Sequence, residues 1–312
     1  MPLRIVFCGT PAFAVPTLRL LNSQPDFQIA GVVTQPDRPR GRGRESSGSP
    51  IKDVALQAEL PVYQPEKIKS DEAREYFLGL APDAVVIIAY GQIVPPRLIE
   101  IPRLGWINLH GSLLPKYRGA APIQWAVVNG ETRTGLTTMQ IDAGLDTGPI
   151  LLKYETEIGP RETAPELAAR LAEAGGPLMA ETLRKLDRGE IAPVPQDDSR
   201  KSLAPPLEKE DGRIDWSLPS GQIYNRIRGL QPWPGAFTSF RGKTCHVWGA
   251  PLQTRLPLPP GTLAIAGKEL HVACGEATAL QLEFVQLEGR NRVTAREFAN
   301  GARLGAGERF GT

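Results

Sequence analysis

Residues 3–11 read Leu3-Arg4-Ile5-Val6-Phe7-Cys8-Gly9-Thr10-Pro11, a short apolar run that stops at a Gly-Thr-Pro turn. The helical pattern of residues 14–22 follows, so the chain opens as strand, turn and helix. Residues 27–34 predict a second strand, and the continuous apolar run 84–89 fits a parallel strand covered on both faces. Another strand begins at residue 105 and runs to 110. This alternation predicts a doubly wound, Rossmann-like α/β domain.

A change of pattern near residue 190 predicts two domains, as does the length of 312 residues. Residues 163–188 indicate one interrupted helix or two successive helices, because Gly175, Gly176 and Pro177 fall inside the pattern. Residues 193–206 then carry four prolines and lose helical periodicity, which is typical of an extended linker. We therefore assign residues 1–190 to the α/β domain, 191–208 to a linker and 209–312 to a second domain.

The second domain has the pattern of a small β-structure. Short β-type segments alternate there with Gly, Pro and charged turns, at residues 236–240, 244–248, 261–265, 269–273 and 279–286. This spacing predicts a small barrel of the OB type, a fold that often binds nucleic acid.

Composition excludes several classes of protein. With 41% hydrophobic and 22% charged residues, the chain is typical of a globular protein rather than a disordered or membrane protein. The cysteines and histidines are too widely spaced for a disulfide framework or a metal clamp, and no apolar leader precedes residue 3. The cysteines are Cys8, Cys245 and Cys274, and the histidines are His110, His246 and His271. We expect a cytoplasmic protein with no metal.

Candidate chemistry centres on the end of the strand at residues 105–110. Alternation places Asn108 and His110 on the same face, at the strand end where ligands bind in open α/β sheets. An amide donor and an imidazole there could stabilise a developing oxyanion. Asp146 follows in the Gly-rich stretch 142–148, and a carboxylate beside His110 would orient the ring and favour its cationic form.

Each of these residues also has an ordinary structural interpretation. A single histidine at a strand end is more often structural than catalytic, and an aspartate in a Gly-rich turn usually forms an Asx turn. Their combination favours the functional interpretation. Asn-x-His, Ser-Leu-Leu-Pro, Tyr-Arg-Gly-Ala-Ala-Pro and Asp-x-Gly-Leu-Asp-Thr-Gly follow one another between residues 108 and 148.

With these motifs the chain resembles the folate-dependent formyltransferases over nearly its whole length. Further matching segments lie at residues 7–11, 34–39, 89–92, 210–216, 225–230 and 232–236. The central block is common to the superfamily, whereas the segments after residue 209 are typical of members that act on charged tRNA. The resemblance implies transfer of a formyl group from 10-formyltetrahydrofolate to the α-amine of methionine on initiator tRNA, for translation initiation. We also expect a monomer.

The resemblance also assigns residues. Asn108, His110 and Asp146 match the catalytic set of the family. The folate co-substrate is expected to contact Ser112, Leu113, Leu114, Pro115, Ile88, Ala89, Tyr90, Gly91, Gln92, Gln140, Ile141 and Asp142.

Arginines alternate with Gly and Pro at Arg38, Arg40, Arg42 and Arg44, so this stretch predicts a cationic surface loop. Composition alone favours a solvated loop and a nucleic-acid contact equally, and the resemblance implies contact with tRNA. Glu-Ser-Ser-Gly at residues 45–48 departs from the more basic and apolar stretch of the family. Residues 1–208 carry a net charge of −2 and residues 209–312 one of +4, so the second domain is the other predicted tRNA surface.

Three alternatives differ from this prediction in specific features. A related formyltransferase could act on the amine of a sugar nucleotide or of a ribonucleotide. An arginine loop is not expected in an enzyme that acts on a sugar nucleotide, and a second domain is not expected in one that acts on a ribonucleotide. A noncatalytic RNA-binding protein would leave Asn108, His110 and Asp146 without a role. A nicotinamide dehydrogenase is disfavoured because the turn after the first strand lacks the GxGxxG pattern.

Overall fold

A computed structural model of the chain describes residues 1–39 and 46–311. The chain divides into two compact units. The first comprises Met1–Pro122, Arg133–Glu157 and Leu167–Ala204, and the second comprises Ile123–Thr132, Ile158–Glu166 and Pro205–Thr312. Residues 191–204 of the predicted linker thus belong to the first unit, and two short segments that precede residue 167 belong to the second.

The first unit is built on a seven-stranded sheet in the spatial order β5-β2-β1-β6-β7-β8-β9, with a separate two-stranded pair, β3-β4. The strands are β1 Leu3–Gly9, β2 Phe27–Val33, β3 Arg38–Pro39, β4 Ser46–Ser47, β5 Val62–Tyr63, β6 Ala84–Ile88, β7 Trp106–His110, β8 Arg133–Gln140 and β9 Ile150–Glu157. The α-helices before residue 205 are α1 Val15–Ser23, α2 Pro50–Gln57, α3 Asp71–Leu80, α4 Pro96–Ile99, α5 Pro122–Val128 and α6 Ala164–Asp187.

Pairing in this sheet changes from parallel to antiparallel along its width. Strands β5, β2, β1, β6 and β7 pair in parallel, whereas β8 is antiparallel to both β7 and β9. Strand β1 lies between β2 and β6, so the chain winds outwards in both directions from it. The predicted Rossmann-like α/β fold is confirmed, and the carboxyl ends of β1 and β6 form the point where such sheets bind ligands.

The central strands are apolar because both of their faces are covered. All five residues of β6 and all five of β7 are buried. Trp106 and Phe77 are fully buried, with ring centroids 5.1 Å apart. Burying a large apolar side chain contributes about 1.5–3 kcal/mol, so this layer supplies much of the stability of the first unit.

The sequence pattern does not predict strands β8 and β9, because β8 buries hydroxyl groups in place of apolar side chains. Thr137 and Thr138 are fully buried. The Thr137 hydroxyl donates to the Ser112 carbonyl at 2.7 Å, and the hydroxyls of Thr138 and Thr182 lie 2.9 Å apart. Hydrogen-bonded threonines fit a buried strand, but they remove the hydrophobic periodicity that identifies one.

Helix α6 runs unbroken for 24 residues with Pro177 inside it, which corrects the prediction of an interrupted or divided helix. The first of the two glycines that precede the proline serves close packing, because a Cβ on Gly175 would lie 2.5 Å from Cδ2 of Leu109. Tertiary packing therefore overrides the low helix propensity of this stretch. Within residues 1–39 and 46–311, no helix combines the length and apolar character needed to cross a membrane.

The second unit contains an antiparallel sheet in the order β10-β11-β14-β13-β12, with β15 paired to β14. Its strands are β10 Phe237–Phe240, β11 Lys243–Pro251, β12 Leu263–Ala266, β13 Glu269–Ala273, β14 Ala279–Leu287 and β15 Val293–Thr294, and its helices include α7 Ser220–Gly229 and α8 Ala295–Ala302. The rings of Phe240, Phe298 and Phe310 pack together in its core at centroid distances of 5.1–6.3 Å. The predicted β-rich second domain is confirmed, and β15 is a strand that the sequence did not indicate.

Candidate active site

Strand β7 carries Asn108 and His110 at its carboxyl end, where the parallel part of the sheet meets the antiparallel part. Asn108 pairs with Met139 of β8 and His110 with Thr137, so both side chains leave the sheet on one face. Both residues are buried, with 9% and 5% of their surface exposed. The structure thus places the amide and the imidazole in a position sheltered from bulk water.

The ring of His110 is held at both nitrogens. Its Nε2 atom lies 2.8 Å from the carbonyl oxygen of Tyr117. Because a carbonyl can only accept, Nε2 carries a proton. The Nδ1 atom lies 3.6 Å from Oδ2 of Asp146, and the same oxygen accepts the backbone N–H of Gly119 at 2.9 Å. The carboxylate therefore faces the one ring nitrogen that is free to gain or lose a proton.

Asp146 reaches His110 because it lies in the loop that joins β8 to β9. Asp142 organises this loop: its carboxylate accepts the N–H of Gly144 at 3.0 Å and the hydroxyl of Thr147 at 2.7 Å. At the far side, a Cβ on Gly148 would lie 1.8 Å from the carbonyl oxygen of Gln140, so only glycine fits there. Asp146 itself adopts a left-handed conformation with φ of 51°. The turn is thus built to aim one carboxylate at the end of β7.

The Asn108 amide makes no hydrogen bond to another residue that the structure describes, and its polar atoms are not fully enclosed although the residue is only 9% exposed. Buried polar groups are usually paired, and an unpaired one is an available binding group. An unpaired amide beside an imidazole can donate to an oxygen of a bound ligand. This pattern is expected of an oxyanion site before its ligand binds.

The segment 112–115, which is predicted to contact folate, contains both buried residues and residues that a ligand can reach. Ser112 and Leu114 are fully buried, and the Ser112 hydroxyl donates to the carbonyl of Lys116 at 2.6 Å. Leu113 and Pro115 remain half-buried. Direct ligand contact in this segment is therefore open to the latter two side chains.

The other two predicted folate segments have the same mixed character. In residues 88–92, Ile88 and Tyr90 are buried and Ala89 and Gly91 are exposed. The side-chain oxygen Oε1 of Gln92 accepts the backbone N–H at position 68 at 2.7 Å. Residues 140 and 141 are half-buried and 142 is exposed. Ala89 and Gly91 both have positive φ, 47° and 90°, a feature that clusters at functional sites.

A cavity of about 530 Å³ opens at the carboxyl ends of β1 and β6, where the winding direction changes. Thr10 and Arg38 line it, together with residues 89–91. Asn108, His110 and Asp146 do not line this cavity. The cavity therefore offers space for a ligand next to a predicted folate segment, and the candidate catalytic pair lies outside its lining.

Arg38 is exposed at the start of the predicted tRNA loop, whereas Arg40, Arg42, Arg44 and Glu45 lie outside the described residues. The segment just before the loop is firmly held. Lys52 forms an ion pair with Asp37, and the Gln64 amide donates to the other Asp37 oxygen at 2.8 Å. The hydrogen bond from Lys52 lowers the pKa of the Asp37 carboxyl, so this anchor is charged at neutral pH.

Two further residues at this site had no role in the sequence prediction. Arg118 falls within the Tyr-Arg-Gly motif and is buried to 3% exposure. Gln196 comes from the proline-rich segment assigned as linker, and its amide contacts the loop that carries Asp146. The spacing of the motifs could have singled out Arg118, but no periodicity or motif marks Gln196.

Comparison with known proteins assigns the chain to a family. A family model described as formyl transferase matches residues 3–183, and one described as formyl transferase, C-terminal domain, matches residues 206–303. Relatives named methionyl-tRNA formyltransferase include one from Solibacter usitatus, 55% identical over 99% of both chains, and one from Koribacter versatilis, 52% identical over 98% of both.

A solved structure shares the fold at low sequence identity. The sugar 3N-formyl transferase WlaRD, determined in the presence of dTDP and 5-N-formyl-THF, superposes with a TM-score of 0.66 at 17% identity, over 93% of this chain and 100% of its own. The relatives from Solibacter usitatus and Koribacter versatilis match this chain over nearly their whole length and have the same enzyme name. They therefore do not favour a noncatalytic RNA-binding protein or a formyltransferase acting on another amine. Because both parts of the chain match and the identities exceed 50% over nearly the whole length, the protein belongs to the methionyl-tRNA formyltransferase family.

Proposed function

We propose that this chain transfers the formyl group of 10-formyltetrahydrofolate to the free α-amine of methionyl-initiator tRNA, which yields the N-formylmethionyl-tRNA used to initiate translation. The observation that carries this proposal is the unpaired amide of Asn108 beside the His110–Asp146 pair, among the described residues. A buried donor, an imidazole and a carboxylate are the groups that formyl transfer between two nitrogens requires.

In the proposed reaction the methionyl nitrogen forms a bond to the formyl carbon, and the bond from that carbon to the folate nitrogen breaks. Negative charge develops on the formyl oxygen during the attack. The Asn108 amide donates to this oxygen, and His110, two residues further along the same strand, supplies the imidazole beside it. The attacking nitrogen loses one proton and the departing nitrogen gains one, so the reaction balances.

His110 and Asp146 fit the proton transfer because only one ring nitrogen is free for it. Nε2 of His110 is committed to the Tyr117 carbonyl, so exchange takes place at Nδ1, the atom that faces Asp146. The carboxylate stabilises the imidazolium when Nδ1 is protonated and can hold a water molecule when it is not. We assign the proton shuttle to this pair.

The folate co-substrate supplies the formyl group. The accessible groups of the predicted segments fit a flat, partly polar ring: Leu113 and Pro115 offer apolar side chains, while Ala89 and Gly91 expose backbone. We assign folate binding to residues 88–92, 112–115 and 140–142, with the buried members as the frame that holds the accessible ones.

For the tRNA we propose two contact surfaces. One is the arginine stretch that begins at Arg38, which we propose to meet phosphates of the acceptor end. Arg38 itself lines the cavity at the ends of β1 and β6. The other is the second unit, whose residues 209–312 carry a net charge of +4 and which we propose to be an OB-like barrel. We further propose a cytoplasmic monomer, which light scattering after size-exclusion chromatography would test.

The decisive test is incubation with 10-formyltetrahydrofolate and methionyl-initiator tRNA, followed by mass spectrometry of the amino acid released from the tRNA. We expect formylmethionine, and much less of it from methionyl-elongator tRNA. An Asn108→Ala variant provides the background. Formylation of a sugar-nucleotide amine with no formylmethionine would overturn the proposal.

A further inference from the structure

Gln196 lies next to the loop of Asp146 although it is 50 residues further along the chain. Its Nε2 atom donates to the carbonyl oxygens of Asp146 and Gly148 at 2.8 and 2.7 Å. Its Oε1 atom accepts from Nε and Nη2 of Arg118 at 3.0 and 2.8 Å. Because a guanidinium only donates and carbonyls only accept, these neighbours fix the orientation of the amide. All of its ordinary hydrogen-bonding capacity is used.

Arg118 connects this amide to the other side of the catalytic pair. Its side chain is only 4% exposed, and besides Gln196 it contacts Asp198 at 2.7 Å. The residues on either side of it touch the pair directly: the Tyr117 carbonyl accepts from His110, and the Gly119 N–H donates to Asp146. One buried guanidinium thus links Gln196 to the backbone that fixes both His110 and Asp146.

The backbone around the pair needs such support. Asp146 and Tyr117 have φ of 51° and 61°, a left-handed conformation that is unfavourable for residues other than glycine. Conformations of this kind persist where surrounding contacts determine them. Gln196 holds the carbonyls on both sides of Thr147.

We propose that Gln196 is a positioning residue, which fixes the β8–β9 loop so that the Asp146 carboxylate stays opposite Nδ1 of His110. This inference rests on the proposed formyl transfer for its link to turnover. Gln196 contributes from the Pro-rich segment that follows α6, and it acts through Asp146 rather than on the substrate.

The isosteric variant Gln196→Glu removes the hydrogen bonds that the side chain donates and keeps those that it accepts. The carboxylate keeps its acceptor contact with Arg118, but its other oxygen faces two carbonyl oxygens and can no longer hold them. We expect kcat to fall about 10- to 100-fold, as for a displaced catalytic group, with KM for both substrates nearly unchanged. Gln28→Glu is the matched control, because exposed Gln28 also accepts from an arginine, at 3.2 Å from Arg4, and lies away from the loop.

Two readouts distinguish positioning from general destabilisation. In an Asp146→Asn background, Gln196→Glu should have little further effect on kcat, because both changes disable one unit. Hydrogen exchange of the backbone amides at residues 142–148 should accelerate in Gln196→Glu while the melting temperature stays close to that of the wild type. The exchange measurement needs no turnover, so it tests Gln196 even where wild-type protein fails to formylate methionyl-tRNA.

Wild-type kcat together with unchanged exchange in Gln196→Glu would overturn the inference, as would full additivity with Asp146→Asn. A fall in kcat with wild-type loop exchange would also contradict it, because Gln196 would then act elsewhere. Should Gln196→Glu fail to fold, Gln196→Met keeps the side-chain volume, loses the four hydrogen bonds and supports the same measurements.

Discussion

Nδ1 of His110 and Oδ2 of Asp146 face each other at 3.6 Å, while Nε2 of the same ring is committed to the carbonyl of Tyr117 at 2.8 Å. This arrangement leaves a single ring position at which a proton can be exchanged. It also places a negative charge beside that position, which stabilises the imidazolium when it forms. The separation exceeds a direct hydrogen bond, so the contact in this structure is electrostatic.

Replacing Asp146 by Asn tests the charge while keeping the shape. The amide oxygen can still accept the Gly119 N–H, which the carboxylate accepts at 2.9 Å, so the loop should keep its course. Loss of acid–base assistance is worth about 10²- to 10⁴-fold, and we expect a fall in kcat of that order with little change in KM. Steady-state kinetics with Asp71→Asn, a surface aspartate paired with Arg97, supply the control. A kcat close to wild type would remove Asp146 from the mechanism.

Asn108→Ala should separate activity from stability. Removing one oxyanion donor typically costs about 2.7–4 kcal/mol of transition-state stabilisation, so kcat should fall by roughly 10²- to 10³-fold. The amide has no partner among the described residues, so no hydrogen bond within them is lost and the unfolding midpoint should not decrease. Filter binding should show nearly unchanged affinity for methionyl-tRNA. A variant that unfolds more easily but turns over normally would show that Asn108 is structural.

The sequence predicts four of the five parallel strands, all but β5, and the positions of Asn108 and His110. These depend on local apolar runs and on the two-residue period of a strand. The hairpin of β8 and β9 was missed, since Thr137 and Thr138 satisfy their buried hydroxyls through partners distant in sequence. The approach of Asp146 to His110 depends on that hairpin. The family resemblance indicates that Asp146 acts together with His110, whereas no local sequence pattern does.

Packing explains the remaining differences from the predictions. Pro177 and its neighbouring glycines favour a break, but α6 continues because Gly175 lets the helix approach Leu109 closely. The prolines around Gln196 predict a linker, yet the Gln196 amide is hydrogen-bonded to the loop that carries Asp146. Contacts between residues so far apart in sequence leave no periodic signal.

Arg42→Ala should weaken tRNA binding in a salt-dependent way. Arg42 lies outside the described residues, and the expectation follows from the arginine pattern and the family resemblance. A lost phosphate contact reduces the slope of log K against log salt concentration by about one unit. Binding measured over a salt series tests this, with Arg19→Ala on the exposed face of α1 as control. Equal slopes for the variant and the wild type would count against a tRNA role.

His246 should make the second unit less stable in mild acid. Burial lowers the pKa of this histidine, whose ring lies 5.7 Å from that of Phe237. The unfolded chain, with an ordinary pKa of about 6.5, therefore binds a proton at a pH where the folded form does not. Its contribution is present above that pH and is lost as the pH falls towards the lowered folded value. Urea denaturation from neutral pH downwards should show a steeper loss for wild type than for His246→Gln, and parallel curves would contradict the assignment.

Gly148→Ala tests whether the loop backbone, and not only its side chains, fixes Asp146. The new Cβ would lie 1.8 Å from the carbonyl oxygen of Gln140, a backbone atom that no rotamer change can move aside. The loop must shift away from the end of β8, so we expect both a loss of about 1–3 kcal/mol in unfolding free energy and a lower kcat. Gly79→Ala is the control, since its Cβ would meet nothing within 4 Å and alanine in a helix is favoured by about 0.5–1 kcal/mol. If Gly148→Ala kept wild-type stability and turnover, the close approach at Gln140 would be dispensable and the position of Asp146 would depend on side-chain contacts alone.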